Sequence, residues 1–116
     1  MTSLIEKALG PSATALQLRA QRLDVIAGNI ANAATPGFKA RDLDVEAALK
    51  GGGFGGEMAR ARLQFRAPLQ PSLDGNTVEM ATEQAAFAEN ALKYQASLGF
   101  LTGRIQTLMS ALKGGE

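Results

Sequence analysis

The residues best suited to chemistry in this chain are three carboxylates. "DLDVE" sets Asp42, Asp44 and Glu46 at alternate positions, the spacing with which a helix–loop–helix calcium site begins. The sixth position of such a loop must be glycine and the twelfth glutamate; here they are Ala47 and Gly53. The run therefore reads as a solvated acidic turn. The glycine stretch "KGGGFGGE", Lys50 to Glu57, is not followed by Gly-Lys-Ser/Thr and follows no predicted strand, so it is no phosphate cradle. With no histidine and no cysteine, the common general base, the thiolate nucleophile and the usual zinc ligands are all missing. Nothing supports a Ser-Lys pair. Glu83 and Glu89 read as ordinary helix-surface carboxylates, Glu89 supporting Lys93 one turn on. Lys39, Arg41, Arg60, Arg62 and Arg66 make the middle basic, but little aromatic residue is interleaved and the formal net charge is only +1. No catalytic, cofactor-binding or metal site is expected, and no nucleic acid. The chain does not read as an enzyme.

The elements carry more information. At 116 residues there is room for one modest domain. Apolar residues make up 46% of it, yet alanine supplies much of that and the aromatics are five Phe and one Tyr. A compact core of ordinary size draws on more large side chains. "MTSLIEKALGPSATAL" lacks a basic segment followed by a continuous apolar run, so it does not read as a cleaved secretory signal. No stretch approaches the ~20 apolar residues of a membrane span.

Two helical segments flank a middle without sustained period. In residues 1–37, Ser3 and Glu6 have capping-box spacing, Gly10-Pro11 is expected to interrupt, and Pro11 to open a longer helix. Ala13, Leu16, Ala20, Leu23, Ala27, Ile30 and Ala34 then form a 3-4 seam. In residues 76–116, Asn76 and Glu79 have cap spacing, and Phe87, Ala91, Tyr94, Leu98, Leu101, Ile105, Leu108 and Leu112 form a second seam. Lys113 and Gly114-Gly115 close that helix. Between them, residues 38–75 are expected to be loosely ordered, with Leu63 and Phe65 pairing as a short strand before Pro68, Pro71 and Asp74-Gly75.

The C-terminal helix carries a second stripe on the side away from its seam, Ala81, Ala85, Ala88, Leu92, Ala96, Gly99 and Gly103. Each interior glycine costs about 0.8–1 kcal/mol relative to alanine, a cost that close approach of another helix would offset. One partner helix covers one face only, so other subunits are expected in the Ala85–Gly103 groove. The first helix stops at "NIANAATPGF". Thr35 precedes proline and is biased away from helix, Pro36-Gly37 suits a type II turn, and Phe38 follows as an apolar anchor. The amides of Asn29 and Asn32 stand within reach of the last carbonyls or of the returning chain.

Taken together, Asn29, Ile30, Ala31, Asn32, Thr35, Pro36, Gly37 and Phe38 resemble the N-terminal signature of the bacterial flagellar axial proteins, the rod and hook family. The second block, "LDGNTVEMATEQAAFAENALKYQ", is similar to that of the proximal rod proteins of the basal body. There Ala88, Glu89, Asn90, Leu92, Tyr94 and Gln95 match, while Ala81 departs from an acidic position. The resemblance implies a structural rod subunit without catalytic activity. It implies export through the flagellar type III apparatus without a cleaved signal, residence in the periplasmic rod, and contact with other rod proteins, the ring–rod adaptor and membrane-ring components.

The expectation is thus an all-α chain whose two long terminal helices form a coiled-coil-like hairpin, the first seam on the second, with self-association through the groove. Alone and dilute it should show low or partial helicity that rises on assembly. One rival is another axial or export-linked adaptor. A membrane-surface amphipathic protein is a second rival, but Lys93, Arg104 and Lys113 are set against several glutamates, too weak a basic face to favour it; direct membrane insertion is not expected.

Overall fold

A computed structural model describes residues 2–50 and 63–114 of the chain. Two long helices, α1 (Thr2–Ala31) and α3 (Met80–Leu112), dominate it; between them come β1 (Arg41–Leu43), α2 (Val45–Lys50) and β2 (Leu63–Phe65). The molecule is a rod of 65 × 25 × 18 Å. Its long axis follows the helices, which at 1.5 Å per residue run about 45 and 50 Å. Contacts between Asn29 and Glu83 and between Arg19 and Asn90 fix α1 and α3 as an antiparallel hairpin. Among the described residues no helix is long and apolar enough to cross a membrane.

α1 is continuous through Gly10-Pro11, where an interruption was expected. Proline deletes one intrahelical hydrogen bond, but Lys7 and Pro11 are exposed here, so water can serve the freed carbonyl. Glycine before proline also lacks the Cβ whose clash normally expels that residue from the helical region. The Ser3–Glu6 capping contact lies outside the described side chains, as does the glycine run at residues 51–57.

The α1 stop is built as its chemistry requires. The last turn tightens, with Asn32 N–H shared between Gly28 O and Asn29 O at 3.1 Å each and Ala33 N–H on Ile30 O. Phe38 N–H then closes on Thr35 O at 3.2 Å across Pro36-Gly37, with Gly37 at φ +75°, the geometry of a type II turn. At the other end Lys113 and Gly114 return N–H groups to Met109 O and Ala111 O, Gly114 at φ +73°.

The middle segment contains the small β element and one helix that periodicity did not reveal. β1 and β2 pair antiparallel in the register Arg41↔Phe65, Asp42↔Gln64, Leu43↔Leu63. α2 follows β1 directly because Asp44 caps it: its carboxylate accepts from Ala47 N–H at 3.0 Å and its carbonyl from Ala48 N–H. The apolar core is small and local. Leu18 of α1 meets Leu43 and Val45, with Ala48 and Leu49 at the margin; Ile26 and Ala40 are also fully buried.

The fully buried positions of α1 and α3 are not those of the two apolar seams. On α1 the buried residues are Leu18, Arg19, Ile26 and Asn29; on α3 they are Glu83 and Asn90. Ala13, Ala20, Ala27 and Ala34 are exposed, with Leu16, Leu23 and Ile30 half-buried. On α3, Tyr94, Ala91, Leu101 and Leu108 are half-buried, whereas Phe87, Leu98, Ile105 and Leu112 are exposed. Each helix is turned so that polar side chains lie in the interface, Asn29 bonding Glu83 and Asn90 bonding the Arg19 carbonyl, while Arg19 Nε and Nη1 and Asn90 Oδ1 meet no partner among the described residues. Counting apolar residues alone misses such a face.

Candidate functional site

The two motif blocks meet at the α1 stop. Asn76, buried between them, donates from Nδ2 to the carbonyls of Asn32 (2.9 Å), Ala33 (3.0 Å) and Thr35 (2.8 Å), while its Oδ1 accepts from Val78 N–H at 2.7 Å. It was expected to cap its own helix. The N-cap of α3 is instead Glu79, which makes no side-chain capping bond there, and the Asn76 amide serves the orphan carbonyls of α1 across the chain. The same loop returns Asp74 O to Gly37 N–H (2.8 Å), Thr77 N–H to Phe38 O (2.9 Å) and Thr77 Oγ1 to Ala40 N–H (2.7 Å). Gly75, at φ +77°, would bring a Cβ to 3.7 Å from Gly37 Cα. Two turns with left-handed glycines thus stand back to back, where other residues would be strained.

Asn29 is the second joint. Its Nδ2 donates to Arg41 O at 2.6 Å and its Oδ1 accepts from Arg41 N–H at 3.1 Å. The amide acts as a neighbouring strand would, completing the outer edge of β1. The same Nδ2 reaches Glu83 Oε2 at 3.0 Å. Asn32 has the other task open to these amides, donating to Gly28 O at 2.8 Å and accepting from Thr35 Oγ1.

Glu83, with 0% exposure, opens the third joint. Arg66 Nη1 pairs with its Oε1, and Arg66 Nη2 with Asp42 Oδ2 at 2.7 Å; Arg22 grips Asp42 with two bonds of 2.9 and 3.2 Å. Two arginines and two carboxylates from α1, β1, the residue after β2 and α3 thus neutralise each other. Burial pushes the Asp42 carboxyl up, but hydrogen bonds from Arg22, Arg66 and Leu43 N–H outweigh it and hold it below the usual carboxylate range. Its hydrogen bond raises the Arg22 guanidinium in turn.

A fourth, more exposed joint lies halfway along the hairpin. Arg19 pairs with Glu46 (3.1 Å), and Lys93 with Glu46 (3.4 Å) and Glu89 (2.9 Å). Arg19 and, secondarily, Lys93 hold Glu46 below its ordinary value. Asn90 donates to Arg19 O at 2.8 Å. The three acidic residues that mimic a calcium loop are thus each engaged elsewhere: Asp42 with arginines, Asp44 at α2, and Glu46 at this joint. A hollow of about 290 Å³ lined by Arg22, Asp42, Glu46, Glu89 and Lys93 carries both signs of charge, already paired.

The remaining motif residues lie around these joints. Ile30, Phe38 and Tyr94 are half-buried, while Ala31, Thr35, Pro36, Gly37, Ala88, Glu89, Leu92 and Gln95 face solvent. So do Ala81, Ala85, Ala96, Gly99 and Gly103, and a Cβ on either Gly99 or Gly103 would meet nothing within 4 Å. Sequence reasoning missed Arg19, Arg22, Asp42, Arg66 and Glu83 as a set. Their only signal was an arginine on α1 facing an acidic turn, and separation along the chain hid it.

The profile of the family described as "Flagella basal body rod protein" matches residues 12–39, the α1 face and its stop. The protein of Cereibacter sphaeroides (strain ATCC 17029 / ATH 2.4.9) named flagellar basal body rod protein FlgB is 51% identical, over 91% of this chain and 94% of its own length. Its namesake in Escherichia coli K12 is 42% identical over the whole of both chains. That of Salmonella typhimurium LT2 is 39% identical, again over both in full. The chain belongs to the FlgB family of flagellar basal body rod proteins, and is a structural subunit of that rod, assembling with other rod components, rather than an enzyme.

Proposed function

We propose that this subunit builds the proximal rod, the part of the torque-transmitting shaft nearest the membrane ring. Residues 1–37 and 76–116 supply its packing surfaces and residues 38–75 the connecting middle segment. One observation carries this reading. Large apolar side chains stand open to water along α3, among them Leu92 (69% exposed), Phe100 (60%) and Leu112 (71%), with Leu98, Ile105 and Met109 between them and Leu4 and Ile5 on α1. Fully burying one such side chain stabilises by roughly 1.5–3 kcal/mol. Covering half of each of six would gain on the order of 5–9 kcal/mol per subunit, before the cost of association. The four joints hold the hairpin around residues 15–46 and 66–94, so the isolated chain is partly helical and its far ends gain order from neighbours.

The assembly seams, Ala13 to Ala34 and Phe87 to Leu112, and the groove Ala85, Ala88, Ala96, Gly99 and Gly103 then face other subunits. Those are copies of this chain, other rod proteins, the ring–rod adaptor and membrane-ring components. In this reading the subunit reaches the periplasm through the flagellar type III apparatus without a cleaved signal. Deleting the gene should abolish motility and halt basal-body construction at the ring stage. Basal bodies with a complete rod in the deletion strain would refute a proximal position.

A further inference from the structure

We propose that Arg66 is the single pin of a latch that holds residues 63–73 against the α1–α3 hairpin, and that this arm swings free as a unit when the pin is withdrawn while the hairpin stays closed. From Leu63 to Leu73 every residue except Arg66 is exposed, including Phe65, Leu69 and Leu73. The arm therefore gains little from apolar burial. Among the described residues its other ties are slight. β2 pairs with β1 over three residues, and Leu69 N–H donates to Oε1 of the half-buried Glu79 at 3.0 Å in a bond open to solvent. A two-stranded pairing of this length is marginal in water.

Arg66, by contrast, is inserted. It donates N–H to Ala40 O at 2.9 Å and places its fork between Asp42 and Glu83, from two different elements. Charge-assisted bonds of this kind are the strong ones. The hairpin has its own fastenings, which do not involve the arm: Asn90 on Arg19 O, Asn76 on the end of α1, and Asn29 on Glu83. Local opening follows the weakest set of contacts, and for the arm that set has one strong member.

The test is chymotryptic cleavage of the full chain under native conditions. Phe65 and Leu69 report on the arm, and Tyr94 and far-UV helicity report on the hairpin. Arg66→Gln should speed cleavage at Phe65 and Leu69 by roughly 10- to 100-fold, from loss of two charge-assisted bonds. Arg66→Lys should fall between, because one ammonium cannot fork onto both carboxylates. Arg66→Gln also leaves Glu83 buried with only Asn29, so Arg66→Gln with Glu83→Gln is the companion variant: it should keep the arm open with Tyr94 and the helicity unchanged. Unchanged cleavage at Phe65 and Leu69 in Arg66→Gln would overturn the proposal. So would arm and hairpin opening together in the double variant, since the arm would then be an integral part of the fold.

Discussion

Asn76 joins the two halves of the subunit, and replacing it has a magnitude and a sign that can be worked out. Its amide offers two N–H donors to three carbonyls at 2.8–3.0 Å, so two bonds form at full strength and the third is shared. Its oxygen satisfies Val78 N–H. At about 0.5–1.5 kcal/mol net for each hydrogen bond, Asn76→Ala should cost roughly 2–4 kcal/mol. In urea, with a slope near ~2 kcal/mol/M, that lowers the unfolding midpoint by about 1–2 M. Asn76→Asp is the sharper variant. It keeps the shape and the acceptor for Val78, yet turns a carboxylate toward three carbonyl oxygens. At neutral pH it should be at least as unstable as the alanine variant despite fitting better. The introduced acid then has a folded pKa above its unfolded one, so its stability relative to the parent is recovered below the unfolded pKa and lost as pH rises through the folded one. Midpoints measured by circular dichroism for the three proteins at neutral and mildly acidic pH decide it. An aspartate variant as stable as the parent at neutral pH would refute the view that this amide caps α1.

Glu83→Leu removes the carboxylate shared by Arg66 Nη1 and Asn29 Nδ2, leaving Arg66 with Asp42 alone and Asn29 with Arg41 alone, and the two lost bonds to a buried charge should cost about 3–5 kcal/mol, read as a urea midpoint; a change below ~1 kcal/mol would contradict the joint. Asp42 lies below its unfolded value in the fold. Its contribution is therefore present above the unfolded carboxylate pKa of about 4 and lost as pH falls through the depressed folded value. Asp42→Asn should flatten the acid limb of the stability–pH curve and leave its alkaline limb unaltered. Gly99→Leu should separate folding from assembly. No described residue lies within 4 Å of the new Cβ, and loss of an interior glycine favours helix by about 0.8–1 kcal/mol. Isolated helicity should hold or rise while motility falls in complementation; full motility would leave the groove without a neighbour.

The parts of this fold that local chemistry dictates are the parts legible in the sequence. Periodicity exposes the two long helices, the Thr35–Phe38 string announces its turn, Leu63 and Phe65 give the short strand, and Lys113-Gly114 closes α3. α2 escapes because six residues are less than two turns, and because its cap, Asp44, sits in an acidic run whose spacing imitates a metal loop. The shared face of α1 and α3 escapes for a different reason: Arg19, Asn29, Glu83 and Asn90 are buried there, Asn29 against Glu83 and Asn90 against the Arg19 carbonyl. A polar residue becomes interior only when its partner is known, and the partners lie 54 and 71 residues apart in the Asn29–Glu83 and Asn90–Arg19 contacts. Asn76 shows the same limit, since its spacing to Glu79 suggests a local cap and its amide is used across the chain.

Hydrogen exchange along α3, in the dilute chain and after assembly, asks most directly whether the subunit is finished without its neighbours. Amides from Glu83 to Tyr94, behind the joints, should be protected at every concentration. Those from Leu98 to Leu112, whose apolar side chains are largely open to water, should exchange near the unprotected rate when dilute and become protected on assembly. Equal protection along the whole of α3 in a dilute monomer, unchanged by concentration, would contradict it.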